Sequence, residues 1–184
     1  IITINFENQY RCKDDSYKTF IWSASLEPHT GMIYAAGRDI TVKKEAERLL
    51  EEAQKVAKIG SWSFNPSNGQ ISWSKQMFQL FDENYHSGAP TFDRHYSTIH
   101  PDDQELWKTS VERCITFATP YRMRFRSVFP DKILWLDANG SATTDIFGNI
   151  VLLSGTCQDI TELVEAENQA KIERAKAIQS AKLA

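Results

Sequence analysis

The alternation of apolar and polar residues over the first forty positions predicts three β-strands. Residues 2–11 and 17–26 alternate and are rich in aromatic and β-branched side chains, and the polar residues 13–16 form a turn between them. A second turn at 28–31 leads into an apolar run at 32–36. Three antiparallel strands leave an apolar face without cover, so we expect them to be the closing half of a domain whose front half is missing.

The next apolar residues recur at helical spacing. They step by four, three, four and three positions and predict a helix over 42–58, with charged residues on its other faces. This seam is compatible with a short coiled coil and equally with packing on an adjacent sheet. Its residues are Val42, Ala46, Leu49, Ala53 and Val56.

The rest of the chain predicts a complete α+β unit. Helices grouped between two sets of antiparallel strands indicate a sheet with helices on one face. The predicted strands are 60–64, 70–73, 121–129, 133–142 and 150–158, the helices lie at 74–81, 92–98 and 100–118, and a charged, alanine-rich helix follows residue 161.

One tripeptide occurs twice, as Asp39-Ile40-Thr41 and as Asp159-Ile160-Thr161. Each copy opens the pattern Asp-Ile-Thr-x-x-x-Glu-Ala-Glu and follows an apolar run that ends in glycine. The copies are about one small domain apart, which suggests two copies of one module. Asp159 can cap the following helix with Glu162 in a capping box, or Thr161 can be the cap. At the first copy Val42 replaces the glutamate, so Asp39 or Thr41 would act alone.

Composition adds a few exclusions. Of 184 residues, 41% are hydrophobic and 24% charged, as in a soluble globular protein. A net charge of −3 gives no electrostatic reason to expect nucleic acid or direct contact with a membrane surface. The cysteines, Cys12, Cys114 and Cys157, match neither a disulfide framework nor a zinc site, so we expect a reducing cytoplasm.

The order of these elements and several separated motifs resemble the PAS domain family, in the subclass with a His-Pro-Asp-Asp helix start. The N-terminal strands resemble only the closing half of such a domain, through 10–14, Trp22 and 34–41. The resemblance divides the chain into a truncated first PAS domain (1–41), a connector helix (42–58), a complete PAS domain (59–159) and an exit helix (160–184). Its motifs in the second unit are Ile59-Gly60-Ser61-Trp62, Ile71-Ser72-Trp73-Ser74, His100-Pro101-Asp102-Asp103, Tyr121-Arg122-Met123-Arg124, Trp135 and 155–161.

The resemblance implies a sensory or interaction module of a larger signalling protein, such as a sensor histidine kinase or a cyclic-dinucleotide enzyme. It implies a homodimer, an effector domain in the same polypeptide, and a signal passed through the helix that follows Asp159-Ile160-Thr161. We expect Asp39, Thr41, Asp159 and Thr161 to fix how each helix leaves its sheet. The alternative is a PAS module with a filled core, which serves dimerisation and relay without a ligand.

A small-molecule ligand would lie between the sheet and the middle helices. By alternation Tyr121, Met123 and Phe125 share one strand face, and Arg122, Arg124 and Arg126 the other. The same aromatic residues would also serve as core. The expected lining of such a pocket is Trp62, Phe78, Phe81, Tyr96, Tyr121, Met123, Phe125 and Trp135.

The sequence names no cofactor. The Asn-Cys-Arg-Phe-Leu-Gln type motif of flavin-binding photosensors does not occur, and heme is not favoured, although His95 and His100 are the candidate axial ligands. His86, His95 and His100 lack the spacing of helical metal ligands, so we expect no metal. Asp102 and Asp103 fit the first turn of a helix better than a catalytic pair, and no catalytic motif stands out.

Overall fold

The computed structural model describes residues 3–182, with side-chain surroundings given for 5–181. Ile2, where the first strand was expected to begin, and the last two residues of the exit helix lie outside the described residues. The chain forms two compact units, one ending at Ala53 and the other beginning at Gln54. Within the described residues, no helix is both long enough and apolar enough to cross a bilayer.

The first unit contains an antiparallel meander of three strands, β1 (Thr3–Arg11), β2 (Tyr17–Leu26) and β3 (Ile33–Asp39). The turn between β1 and β2 is closed by the Asp14 carboxylate, which accepts hydrogen bonds from the backbone N–H and the hydroxyl of Ser16. The short aspartate side chain thus replaces a backbone partner.

One face of this meander carries an aromatic cluster. The rings of Phe6 and Trp22 stack with centroids 6.5 Å apart, while Tyr10 meets Phe20 edge to face at 5.8 Å. The Asn8 amide oxygen accepts a hydrogen bond from the Trp22 indole N–H at 3.0 Å. Phe6 and Tyr10 remain 45% and 47% exposed, so the described residues cover this face only partly.

Helix α1 (Thr41–Val56) begins directly after β3 and leaves the expected seam uncovered. Val42 is 83% exposed and Val56 is 86% exposed, and none of the helix residues is buried. Both expectations for this seam, a short coiled coil and packing on an adjacent sheet, therefore stay predictions.

The second unit is built around a five-stranded antiparallel sheet. Its elements are β4 (Ile59–Asn65), β5 (Gln70–Trp73), α2 (Lys75–Leu80), a single 3₁₀ turn (Tyr85–Ser87), α3 (Phe92–Ser97), α4 (Pro101–Phe117), β6 (Tyr121–Val128), β7 (Ile133–Thr144), β8 (Ile150–Asp159) and α5 (Thr161–Lys182). The spatial order of the strands is β5-β4-β8-β7-β6. The expected α+β fold is confirmed, and most element ends lie within two residues of their predicted positions.

Residues with local capping chemistry fix the helix ends. The Ser74 hydroxyl accepts the N–H of Met77 at the start of α2, and the Thr91 hydroxyl accepts that of Arg94 at the start of α3. His100 caps α4 through an imidazole nitrogen that accepts the N–H of Asp102, with a proline in the first turn. Ala118 ends α4 in the left-handed conformation, with φ of 52°.

Strand alternation separates an apolar inner face of the sheet from a polar outer face. On β6, Met123, Phe125 and Ser127 are buried while Arg122 and Arg124 are exposed, as the alternation predicted. The inner face and the helices share one hydrophobic core, in which Phe125 and Leu136 are almost completely inaccessible. The core therefore lies between the sheet and the three helices that follow β5.

Candidate functional site: an aromatic cavity and a helix junction

A cavity of about 300 Å³ lies between the inner face of the sheet and helices α2 to α4. This volume is at the lower end of the range typical of small-molecule sites. Its wall is almost entirely apolar and is dominated by aromatic rings. The lining residues are Trp62, Phe64, Ile71, Trp73, Met77, Pro90, Phe92, His95, Trp107, Val111, Ile115, Tyr121, Phe125, Ala138, Leu153 and Cys157.

Two glycines lie beneath the rings of Tyr121 and Trp62, which line the cavity. Gly140 on β7 pairs directly with Gly155 on β8. A Cβ at Gly140 would lie 2.5 Å from the Tyr121 ring, and one at Gly155 would lie 2.8 Å from the Trp62 ring. Because neither glycine carries a side chain, both rings lie close against the sheet, which leaves space above them.

Three of the eight residues expected in the pocket line this cavity: Trp62, Tyr121 and Phe125. Phe78 and Phe81 do not line it; they pack against Trp73, with ring centroids 5.5 and 5.3 Å from its centroid. Tyr96 stacks on Phe92 at 6.4 Å and also stays outside the lining.

Met123 and Trp135 also lie outside the cavity lining. Met123 is 7% exposed and belongs to the packed core. Trp135 is on the outer face of the sheet, because it pairs with Arg126 in the β6–β7 register and alternates with the inward-facing Leu136. The Arg126 guanidinium carbon lies 5.5 Å from the centroid of the Trp135 ring.

His95 is a polar side chain in the wall, which the sequence analysis named only as a candidate axial ligand for a heme that it did not favour. Its imidazole makes edge-to-face contacts with Trp73, Phe81 and Trp107 at centroid distances of 5.5, 4.6 and 5.5 Å. Its Nδ1 atom is buried and has no hydrogen-bond partner among the described residues. Burial lowers the pKa of His95 to about 4, so the ring is neutral at physiological pH.

The other two histidines that were weighed as metal or heme ligands have different surroundings. His86 is exposed in the 3₁₀ turn, and His100 is committed to capping α4. Within the described part of the chain, no three His, Cys, Asp or Glu side chains come close enough to hold a metal ion. Cys114 and Cys157 are buried free thiols whose pKa values are raised by burial, and Cys12 is half-buried.

The residues Asp159, Ile160 and Thr161 join β8, which lines the cavity, to α5. We call these three residues, together with their partner Trp135 on β7, the second junction. The Asp159 carboxylate accepts both the N–H and the hydroxyl of Thr161, at 2.9 and 2.6 Å. The Thr161 Oγ1 in turn accepts the N–H of Trp135 at 3.0 Å, and the N–H of Ile160 donates to the Trp135 carbonyl at 2.8 Å. The start of α5 is thus bonded to the backbone of β7.

The expected capping box at this helix start is absent. The first helical hydrogen bond runs from the N–H of Val164 to the carbonyl of Ile160, so Ile160 occupies the cap position. Glu162 then lies one position too early to reach back to the cap. Its carboxylate instead pairs with Lys58 Nζ at 2.7 Å.

The first unit contains the same arrangement, here named the first junction: Asp39, Ile40, Thr41 and Thr19. Asp39 accepts the N–H and the hydroxyl of Thr41, Thr41 Oγ1 accepts the N–H of Thr19 at 2.8 Å, and the N–H of Ile40 donates to the Thr19 carbonyl at 2.8 Å. The hydroxyl bond from Thr41 is the main cause of a lowered pKa at Asp39. The two copies of the tripeptide therefore make the same backbone attachment, with Thr19 in the place of Trp135.

Comparison with known proteins agrees with this architecture. Residues 70–157 match the family model described as the PAS fold. The chain is 23% identical over 174 residues to the probable diguanylate cyclase DgcE of Escherichia coli, an alignment that covers 89% of this chain and 16% of that protein. The chain therefore spans about a sixth of the length of this curated relative.

Solved structures show the same fold. A sensory box histidine kinase/response regulator from Burkholderia thailandensis superposes with a TM-score of 0.55 at 20% identity, over 71% of this chain and 98% of that one. The N-terminal domain of a diguanylate cyclase with a PAS/PAC sensor from Marinobacter aquaeolei gives 0.50 at 18% identity, over 56% and 95%. The family model and the five-stranded architecture together show that the segment 70–157 has the PAS fold.

Proposed function

We propose that the second unit senses a small molecule in its aromatic cavity and passes the change to α5 through the second junction. The observation that carries this proposal is a short covalent and hydrogen-bonded connection. Cys157 lines the cavity only two residues before Asp159, and β7 contributes both the cavity residue Ala138 and the junction residue Trp135. A change in strand geometry at the cavity therefore reaches the start of α5 through one strand pair.

The first unit supports a wider proposal, that the chain contains two PAS copies of the His-Pro-Asp-Asp subclass, each closed by the same C-terminal motif. The identical hydrogen bonds of the two junctions and the shared meander topology support it. In this proposal β1 to β3 are the closing half of the first copy, and α1 connects the two copies.

The parent protein is proposed to be a cytoplasmic signalling protein, with a sensor histidine kinase as the first output and a cyclic-dinucleotide enzyme as the alternative. The buried and half-buried free cysteines are consistent with a reducing compartment. We further propose that the chain forms a homodimer, since the apolar positions of α1 are exposed in the single chain.

A second candidate is a relay module with a filled core and no ligand.

One experiment separates the ligand sensor from the relay module without ligand. It measures the distance between spin labels at Gln79→Cys on α2 and Lys171→Cys on α5, both exposed positions, in a Cys12→Ser background. We expect the label distance to change on addition of naphthalene and in the cavity-filling variant Ala138→Leu. Ser141→Leu, an exposed position on the same strand, is the control.

An unchanged distance both with bound naphthalene and with Ala138→Leu would contradict ligand-driven relay. Binding itself is followed separately by quenching of the cavity tryptophans. Failure of the probe to enter is thus distinguished from failure of the signal to travel.

A further inference from the structure

The cavity wall is electrically neutral. Among the described residues that line it there is no aspartate, glutamate, lysine or arginine. His95, Tyr121 and Cys157 are the lining side chains that can gain or lose a proton. Burial lowers the pKa of His95 to about 4 and raises the pKa values of Tyr121 and Cys157 above their ordinary values. All three side chains are therefore uncharged at neutral pH.

The arginines of β6 do not supply a charge to this wall. Arg122 and Arg126 are on the same strand as the cavity residue Phe125, but strand alternation puts them on the outer face of the sheet. Each of them already pairs with an aspartate, at 2.9 and 2.8 Å. An anion inside the cavity would thus be buried without a counter-ion, which is costly.

The aromatic side chains of the wall favour ring compounds. Three tryptophans, three phenylalanines and Tyr121 line the cavity. Such rings bury a large apolar area and make stacked or edge-to-face contacts with another ring. The volume of about 300 Å³ favours a compact molecule of about two fused rings over a long cofactor.

We propose that the cavity selects small, uncharged aromatic molecules and rejects organic anions of the same shape. This inference rests on the proposed function, because it assumes that the cavity binds a ligand. It adds the chemical class of the ligand, which the neutral and aromatic wall determines.

The test compares two probes of nearly the same shape, 2-acetylnaphthalene and 2-naphthoate, on the 184-residue chain at neutral pH. The ketone has a methyl group where the carboxylate has a charged oxygen. Tryptophan quenching and calorimetry measure the two affinities. We expect the ketone to bind the wild type at least about a hundredfold more tightly, because the carboxylate finds no counter-ion in the cavity.

Two variants show where the ketone binds. Ala138→Leu fills the cavity from β7 and should abolish ketone binding. Ser141→Leu makes a similar addition at an exposed position of the same strand, outside the lining, and should leave ketone binding unchanged.

A third variant adds the missing charge to the wall. Ile115 lines the cavity near the end of α4 and is 40% exposed, so a lysine at this position can keep its ammonium group in contact with water. Ile115→Lys should tighten 2-naphthoate binding by about tenfold, the effect of one hydrogen bond to a charged group, and leave ketone binding nearly unchanged. Phe117→Lys adds the same charge at a 73% exposed position outside the lining and should leave both affinities as in the wild type.

The outcomes separate the two levels of inference. If both probes bind the wild-type cavity with similar affinity, the selection against anions is wrong and the cavity remains a ligand site. Equal gains for 2-naphthoate in the two lysine variants would also overturn the proposal, because the gain would then not come from the cavity wall. If neither the ketone nor naphthalene binds the folded wild type, or if binding survives in Ala138→Leu, the ligand-sensing function fails and this inference fails with it.

Discussion

The Asp103 carboxylate and the Arg126 guanidinium form two hydrogen bonds between the start of α4 and the outer face of β6. The Nε and Nη2 atoms of Arg126 donate to the two carboxylate oxygens at 2.8 and 2.9 Å, and the Arg126 backbone N–H donates to the same carboxylate at 2.8 Å. The Arg126 carbonyl accepts the N–H of His100 at 2.9 Å. The His-Pro-Asp-Asp segment is thus bonded to Arg126 of β6 at its first residue, through the His100 N–H, and at its last residue, through the Asp103 carboxylate.

The ion pair between Asp103 and Arg126 also connects α4 with the start of α5. Arg126 lies over the ring of Trp135, and the backbone of Trp135 makes both hydrogen bonds of the second junction to the sheet. Helix α4 carries the cavity residues Trp107, Val111 and Ile115. In the proposed relay, the contact between Arg126 and Trp135 would be a second route from the cavity to α5, besides β8. The motif is therefore a structural attachment of α4 to Arg126, which lies over Trp135 of the second junction.

Asp103→Asn should destabilise the second unit by about 2 kcal/mol, because it leaves a partly buried guanidinium without its counter-charge. The hydrogen bond from Arg126 holds the pKa of Asp103 below its ordinary value of 3.8. A lowered acid pKa gives stability that is present above the ordinary pKa and lost as pH falls through the folded value. Urea unfolding should show the full difference from wild type at pH 7 and a smaller one in strong acid.

The neighbouring substitution is the control for that measurement. Asp102 is 71% exposed and makes one contact with Arg126 at 3.2 Å. Asp102→Asn should change the unfolding free energy by about 0.5 kcal/mol or less. Equal effects of the two substitutions would show that the bidentate geometry at Asp103 is not what stabilises α4.

Strand alternation and helix-capping residues were the most informative features of the sequence. The alternation of arginine and apolar residues on β6 placed Tyr121 and Phe125 on the inner face, and capping chemistry placed Ser74 at the start of α2. The identity of Asp159-Ile160-Thr161 marked where a helix leaves the sheet. It did not reveal that the threonine hydroxyl bonds to Trp135, because that partner is 26 residues away in sequence.

The cavity lining was harder to predict, because burial depends on contacts distant in sequence. Four apolar residues run without alternation from Ile133 to Leu136, so the local pattern could not tell which side Trp135 takes. The segment around His95 is polar in sequence, yet α3 turns this ring between Trp73 and Trp107. Only the packing of α3 against α4 and β5 puts a histidine into the wall.

The lowered pKa of His95 should make the stability of the second unit depend on pH in a recognisable way. Its folded pKa of about 4 lies below the ordinary value of 6.5, so the unfolded state binds the proton more readily between these values. Above about pH 6.5, the contribution of His95 to the free energy of unfolding should not vary with pH. Between about pH 6.5 and pH 4, the free energy of unfolding should fall by about 3 kcal/mol because of this group.

Chemical unfolding at several pH values measures this contribution as a difference between proteins. The free-energy difference between His95→Leu and wild type should grow in favour of the variant as pH falls from 6.5 to 4, since leucine cannot be protonated. His86→Leu, at an exposed position, serves as the matched control. A difference that does not vary with pH would mean that the pKa of His95 is not lowered in the folded state.

The paired glycines beneath the cavity should differ in their tolerance of a methyl group. At Gly155 a Cβ would lie 1.9 Å from the backbone oxygen of Asn139, which cannot move without distorting the sheet. At Gly140 the obstacle is the ring of Tyr121, which can turn into the cavity. Gly140→Ala should lower the free energy of unfolding by about 1–3 kcal/mol. Gly155→Ala should lower it by more.

Ligand binding gives the second readout for this pair. Gly140→Ala should weaken naphthalene binding, because the displaced Tyr121 ring takes up cavity volume, while Ser141→Ala on the exposed side should have no effect. Thermal unfolding and tryptophan quenching measure the two properties. Full probe affinity in a folded Gly140→Ala variant would show that Tyr121 does not limit the space.

The exposed apolar seam of α1 leads to a prediction about assembly. Sedimentation of the wild type should show a dimer, since Val42, Leu49 and Val56 are largely exposed in the single chain. Leu49→Glu, on the seam, should raise the fraction of monomer. Leu50→Glu makes the same change at a 60% exposed position off the seam and should leave the dimer intact. A monomeric wild type, or equal effects of the two variants, would exclude this helix as the dimer contact.

Thr161→Val should loosen the second junction while keeping the shape of the side chain. Valine cannot accept the N–H of Trp135 or donate to Asp159, so a backbone donor of β7 loses its partner, at a cost of about 1–3 kcal/mol. Amide exchange should quicken at Trp135 and over the first turn of α5, and remain as in wild type in β5. Thr41→Val makes the same change in the first junction and should quicken exchange at Thr19 and the start of α1 instead. If the Trp135 amide stays as protected in Thr161→Val as in wild type, the hydroxyl is not what bonds α5 to the sheet, and the proposed relay loses its physical basis.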